Sequence, residues 1–329
     1  MIAAWLWVLT ALPSAADTLR VATFNTELSR DGPALLLRDI SRGQDAQIAA
    51  VVEVIARVNP DVITLQGFDY DLEGRALAAF AQALATRGAP YPYQFAAPPN
   101  AGRMTALDLD ADGKTGTARD AQGYGTFFGQ GAMALLSRFP IATAEVADFS
   151  ALLWRDLPGN LYPQTAQGPW GGAQVQAIQR LSSHGHWVVP IDHPAFGRVH
   201  ILTFHATPPV FDGPEDRNGR RNHDETAFWR VYLDGAFGTP PEDAFVLMGD
   251  ANADPNRGEG RPEAILALLE HPRLHAPLRG QPTVVWQGVG ALQVDYIFPS
   301  RDWTVRDAGV EPIDAAASRH ALVWVDLAR

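Results

Sequence analysis

LRVATFN at residues 19–25, IAAVVEVIARV at 48–58 and DVITLQ at 61–66 decide the fold class. The first run alternates in a β-prone pattern. In the second, Ile48, Val51, Val52, Ile55 and Val58 recur at helical spacing and give one apolar face. The third is a short, continuous apolar strand. Residues 73–87 return to helical spacing with Leu77, Phe80, Ala81 and Leu84. A chain that opens strand, helix, strand, helix builds an α/β layer.

Further along, AMALLSRF (132–139) and IATAEVADF (141–149) flank Pro140 and read as a strand pair. HWVVPI (186–191) and RVHILTF (198–204) form a second pair across a Pro/Gly turn. A helix is predicted over 225–237 and another over 262–270, with strands at 244–250, 283–286, 293–300 and 321–327. Many of these strands are apolar on both parities, so both of their faces are buried. Two sheets packed face to face, with helices on the outer faces, satisfy that pattern. No repeat or linker interrupts residues 17–329, which are read as one domain. Two long loops, 96–130 and 150–185, are expected to be functional or mobile.

The 329 residues are 47% hydrophobic and 19% charged, a globular composition that excludes a disordered chain. No apolar run reaches the roughly 18 residues that span a bilayer. Lys+Arg 26 against Asp+Glu 37 leaves a net charge of −11, so general attraction to duplex DNA is absent and phosphate binding must be local. The chain has no cysteine, which excludes a disulfide scaffold, a thiolate metal site and a cysteine nucleophile. Residues 1–16, MIAAWLWVLTALPSAA, read as a signal peptide cleaved after Ala16, with secretion or a periplasmic location for the remainder. There is no G-x-S-x-G elbow and no P-loop.

Polar residues cluster where strands end, which is where an α/β protein keeps its site. Asn25 and Glu27 follow the first strand, and Asp250, Asn252 and Asp254 stand in MGDANADP after a late one. Asp295 lies in QVDYIFPS, Ser318 and His320 precede the last strand, and His205 ends VHILTF. Taken alone, Asp254 before Pro255 reads as a turn or cap residue, and His205 as a satisfied, partly buried histidine.

In combination and in this order, N-x-E, GDxN, DYI and Ser-x-His make the chain resemble the endonuclease/exonuclease/phosphatase superfamily, and FHATPPVFDGPEDRNGRRNHDE (204–225) resembles a secreted bacterial subset of it. GQGAMALLSRFPI (129–141) is similar to the family's central strand. The resemblance implies a four-layer α/β/β/α sandwich of two mixed sheets flanked by helices. It also implies an exported, metal-dependent hydrolase of phosphate esters, of phosphodiesterase or nuclease type. On that resemblance Asp250 positions and deprotonates water, Asn252 binds the phosphate or the nucleophile, and His320 is oriented by Asp295. His205 contacts the phosphate from the other side, Asn25 donates a hydrogen bond, and Glu27 sits on or near Mg²⁺ or Mn²⁺. The substrate classes implied are nucleic acid, a phospholipid head group or a small phosphodiester; no protein partner is inferable.

Two positions depart from the family pattern. Gly67 in LQGFDYD replaces a metal-binding glutamate, and Arg319 in SRH replaces an aspartate. Three readings follow: Asp69 (or Asp71) substitutes as a ligand, Arg319 takes over the cation's electrostatic work, or the protein is a weakened phosphate-binding or interaction module. A phosphomonoesterase is the alternative within enzymes. Elsewhere, Asp108, Asp110 and Asp112 in DLDADG resemble a Ca²⁺ loop without its twelfth-position acid. Arg217, Arg220 and Arg221 are expected to form a rim that steers an anionic substrate, with Asp224 and Glu225 as charges at a helix N-terminus. Trp154, Trp170 and Trp187 either stack on a ligand or cover the edge of the core.

Overall fold

The alternating run at 19–25 becomes the strand Leu19–Leu28, which alternates between two apolar layers. Leu19 and Val21 enter one layer, Ala22 and Phe24 the other. Asp45 caps the following helix, Ala46–Val58, by accepting from Ile48 N (2.9 Å), and Asn59 ends it in the left-handed region. The chain returns as Val62–Phe68, parallel to the first strand with Val21 opposite Val62. The computed structural model describes residues 17–329, so the leader expected at 1–16 lies outside the described residues.

Among the described residues two large mixed sheets form. One runs in the order Thr304–Val310, Val323–Ala328, Leu19–Leu28, Val62–Phe68, Ala132–Ser137, Tyr93–Phe95. The other runs Asp295–Pro299, Phe245–Asp250, Gly197–His205, His186–His193, Ala147–Asp148. Val21, Val62, Leu135 and Val325 of the first sheet pack with Val189, Ile201, Val246 and Ile297 of the second. Helices Ala46–Val58 and Arg75–Thr86 cover the outer face of the first sheet through Val51, Ile55, Leu77 and Phe80. Phe228, Trp229, Ile265 and Leu268, from helices Arg217–Leu233 and Glu263–Leu269, cover the second. This is the α/β/β/α layering expected. Each fully buried aliphatic side chain contributes roughly 1.5–3 kcal/mol, so three apolar layers stabilise the chain without disulfides. No helix among the described residues is long and apolar enough to cross a membrane.

Two expectations are corrected. The segments flanking Pro140 do not pair with each other. Ala132–Ser137 pairs with Val62–Phe68, whereas Ala147–Asp148 joins the opposite sheet against Trp187 and Val188. The turn at Pro140 passes the chain between sheets, with Asp192 N donating to Pro140 O and Ala142 N to Pro190 O. The helix predicted over 225–237 instead runs from Arg217 to Leu233. Its charged first half reads as a loop because buried helices rarely carry so many charges, but here Arg221, Asp224 and Glu225 are buried with hydrogen-bond partners. Asp224 accepts from Trp154 Nε1 and Leu161 N, both at 2.6 Å. Glu225 accepts from Ser183 Oγ and Thr207 N, both at 2.7 Å. These acids are therefore mid-helix anchors for the loops and not N-terminal helix charges. Trp154 and Trp187 are fully buried core residues.

Arg221 belongs to the same anchoring. Its buried guanidinium donates to the carbonyls of Leu181 (2.8 Å), Gln122 (2.6 Å), Arg180 (2.9 Å) and Ser182 (3.1 Å), fastening both long loops to the helix. An unpaired buried acceptor costs about 1–3 kcal/mol. Arg221→Leu is therefore expected to lower unfolding stability by about 3 kcal/mol or more in urea titration, and Arg221→Lys to recover less than half of it. Arg220→Leu, at a partly exposed position, should stay within about 0.5 kcal/mol of the parent.

Candidate active site

The parallel strand pairs of the two sheets end side by side. Asp250, the last residue of its strand, is fully buried, with His205 and Asp295 as its register partners on either side. From the opposite sheet Asn25 Nδ2 donates to Asp250 Oδ2 (2.9 Å). Asn252 N donates to Asp250 Oδ1 (2.8 Å). The Asn252 amide is tethered to Ala206 O (2.9 Å), and its backbone is left-handed at φ 49°. Such strained positions persist where the surroundings over-determine them. His320 Nδ1 donates to Asp295 Oδ2 (2.9 Å) and lies 3.9 Å from Asp250 Oδ2. Ser318 holds this turn by donating to Asn25 O (2.7 Å) and accepting from His320 N (3.1 Å).

Charges in this dry cluster are strongly coupled. Burial raises the Asp250 pKa and repulsion from Asp295 adds to the rise, while His320 and the Asn25 amide pull it back, leaving it at about 7. Burial alone would lower His320. Attraction to Asp295 and Asp250 outweighs that and holds it at about 9, so the imidazole is protonated at neutral pH. Burial drives His205 well below its ordinary value, leaving it neutral, with Nε2 3.5 Å from Asp250 Oδ2. The ring of His184 stacks on His205 at 3.9 Å.

At the mouth stands an ion pair. Glu27, left-handed at φ 49°, accepts from Arg319 Nε (2.7 Å) and Nη2 on one oxygen. Its other oxygen accepts from Arg319 N (2.8 Å) and lies 3.3 Å from Ser318 Oγ, whose proton goes to Asn25 O. Burial would raise the Glu27 pKa, and the Arg319 hydrogen bonds more than reverse it. The guanidinium lies 4.5 Å over the Trp286 ring, which meets His320 edge-on at 5.6 Å. Gly67 has φ +66°, and a Cβ there would fall 2.5 Å from Asn25 Oδ1 and 2.9 Å from Glu27 N. No side chain fits. Asp69 points elsewhere: it accepts from Arg30 N (2.9 Å) and Gly131 N (2.8 Å), and burial raises its pKa to about 6.

A Mg²⁺-like ion takes oxygen ligands in a near-octahedral set. At Glu27 both oxygens are occupied by donors, Gly67 offers no ligand, and Asp69 is bound to backbone N–H groups. That donor set does not fit the ion expected at Glu27. Asp250, Asp295 and His320 do bring one potential ligand atom each within 4.8 Å of one another, with His320 Nδ1 hydrogen-bonded to Asp295 (2.9 Å). A second acidic group that could bind a metal consists of Asp108, Asp110 and Asp120, again within 4.8 Å. Asp120 stands where Asp112 was expected; Asp112 accepts from Lys114 N (2.8 Å) and lies outside the cluster.

The expected arginine rim is not a rim of this cluster. Arg221 is consumed by carbonyls, and Arg220 donates to Glu215 O (3.2 Å). Arg217 lies under Trp170 (5.5 Å) and lines a cavity of about 770 Å³ with Asp110. That cavity reaches Thr207, two residues past His205, but is not walled by Asp250, Asp295 or His320. Asp254 acts as a turn residue, accepting from Asn256 N and Arg257 N. Sequence reasoning missed Trp286 and His184. Trp286 sits in an apolar run with no polar spacing to mark it. His184 had a signal, the H-G-H spacing just before a strand.

The converging carboxylate, amide, imidazolium and guanidinium groups form a cradle suited to an oxyanion. Among solved structures, an endonuclease/exonuclease/phosphatase from Beutenbergia cavernae superposes with a TM-score of 0.58 at 19% identity, over 94% of this chain and 71% of that one. A family protein from Leptotrichia buccalis gives 0.55 at 16% identity, over 94% and 100%. Sphingomyelinase C from Streptomyces griseocarneus gives 0.52 at 16% identity, over 95% and 100%. These likenesses speak to the fold alone. No curated protein matches the chain. The model of the Endonuclease/Exonuclease/phosphatase family matches residues 22–320, and the chain belongs to that family.

Proposed function

We propose that this chain hydrolyses a phosphodiester, with Asp250 as the general base. Members of its family are phosphoester hydrolases and usually use divalent metals. The observation that carries the reading is the buried Asp250 carboxyl, gripped by Asn25 and Asn252 N–H groups and set 3.9 Å from the protonated His320. Asp250 takes a proton from water as the water oxygen bonds to phosphorus. The bond from phosphorus to the leaving oxygen breaks, and His320, held by Asp295, delivers its proton to that oxygen. Neutral His205 and the Asn25 amide flank the phosphoryl oxygens. A base near pH 7 and an acid above it suit work at neutral pH.

Charge balance favours a diester over a monoester. Three carboxyl groups, on Asp250, Asp295 and Glu27, face only two cations, His320 and Arg319, so no surplus positive charge remains and a dianion is disfavoured more than a monoanion. Glu27 supplies no metal ligand to this step, because both of its oxygens already accept hydrogen bonds from Arg319. Nucleic acid, phospholipid head group and small diester all remain within this substrate class. We also propose that residues 1–16 are a leader and that the chain works outside the cytoplasm; N-terminal sequencing of exported protein should begin at Asp17.

Turnover of bis-p-nitrophenyl phosphate tests the reading. Asp250→Ala and His320→Ala should each lower kcat/KM by about 10²–10⁴ with the folded signal in circular dichroism unchanged. Parental rates in both would overturn the assignment. Saturable phosphate binding with no turnover would favour a binding module. The pH profile should be bell-shaped. The rate rises as Asp250 loses its proton, near 7, and falls as His320 loses its own, near 9. These limbs belong to the coupled cluster. His320→Gln should remove the alkaline limb.

A further inference from the structure

We propose that the Arg319 guanidinium is the cation that grips the substrate phosphate in this site, and that a divalent ion is not required there. This rests on the hydrolase reading above. Four observations carry it. Arg319 is fixed on one edge only: Nε and Nη2 donate to a single Glu27 oxygen, while Nη1 donates to no described residue. The side chain is 65% exposed at the mouth of the site, so its remaining N–H groups face what enters. Trp286 supports the guanidinium from one face and meets His320 edge-on, so the guanidinium and the imidazole flank one indole ring. Gly67 closes the alternative, since a carboxylate there would need a Cβ inside Asn25 and Glu27.

Solvent screening at the exposed Arg319 end limits what the pair adds to stability, while the largely buried Glu27 carboxylate fixes the guanidinium in place. The pair is held by two Arg319 side-chain nitrogens, an Arg319 backbone N–H and an aromatic face. That much bracing orients a group for contact with something else. A guanidinium with one edge pinned and the other open presents planar paired donors to phosphate oxygens, at little further ordering on binding. At Glu27 a divalent ion would have to displace that guanidinium to reach a single carboxylate.

The test uses the whole protein dialysed against EDTA. Calorimetry with dimethyl phosphate, a monoanionic diester, should give saturable binding without metal, weakened about tenfold or more in Arg319→Ala and only partly restored in Arg319→Lys, which lacks the paired donors. Hydrolysis of bis-p-nitrophenyl phosphate should survive EDTA within about twofold. Arg319→Asp should depress both readouts even with Mg²⁺ or Mn²⁺ added. Loss of turnover in EDTA with recovery on adding Mg²⁺ would overturn the proposal, as would unchanged dimethyl phosphate affinity in Arg319→Ala. Activation of Arg319→Asp by Mg²⁺ above the parent rate would overturn it too. Metal-free dimethyl phosphate binding that depends on Arg319, with no turnover in any condition, would keep the role of Arg319 and defeat the hydrolase reading.

Discussion

The hydrogen bond from Asn25 to Asp250 joins two sheets whose strands are 225 residues apart in the chain. It forms because the two parallel strand pairs, 19–28 with 62–68 and 197–205 with 245–250, end at the same edge of the sandwich. Close packing of Val21 and Val62 against Val246 and Ile201 sets that edge. The rest of the site hangs on this meeting. Asp295 and His205 are register neighbours of Asp250, and Ser318 is tied to the Asn25 carbonyl. A slip of one residue in either parallel pair would turn the carboxyl or the amide to the wrong face.

Electrostatics then decides what the edge can do. Two carboxyl groups in a dry pocket repel each other and cannot both ionise cheaply. The cluster resolves this with a protonated histidine between them and a guanidinium outside. The same arrangement poises Asp250 to exchange a proton near neutrality. The neutral His205, stacked on His184, adds bulk and a polar atom without adding charge. Function at this site thus depends on burial as much as on residue identity, and burial is a property of the whole sandwich.

Much of this was readable from the chain. Strict alternation and helical spacing marked the elements, and apolar residues on both parities marked two facing sheets. Asn25, Asp250, Asn252, Asp295 and His320 were found because polar residues at strand ends interrupt apolar runs. The failures have physical causes. The helix start at Arg217 was hidden because the charges of Arg221, Asp224 and Glu225 are satisfied by distant loop atoms, which local composition cannot express. Segments around Pro140 were paired because they are adjacent, although the turn sends them to different sheets. Asp69 shares strand parity with Gly67, but the bulge between Gln66 and Phe68 breaks that parity. Trp286 matters only through what folds over it.

The glycine at 67 also bears on how such a site can change over generations. Its backbone lies in a region that side chains avoid, and the space beyond it is filled by Asn25 and the Glu27 amide. Exchange of one residue therefore cannot carry this lineage to a carboxylate-lined metal cradle. The strand end would have to be re-threaded at the same time as the arginine was lost. Neighbouring designs in sequence space are thus separated by a shape barrier, which isolates the arginine-bearing form from the carboxylate-bearing one.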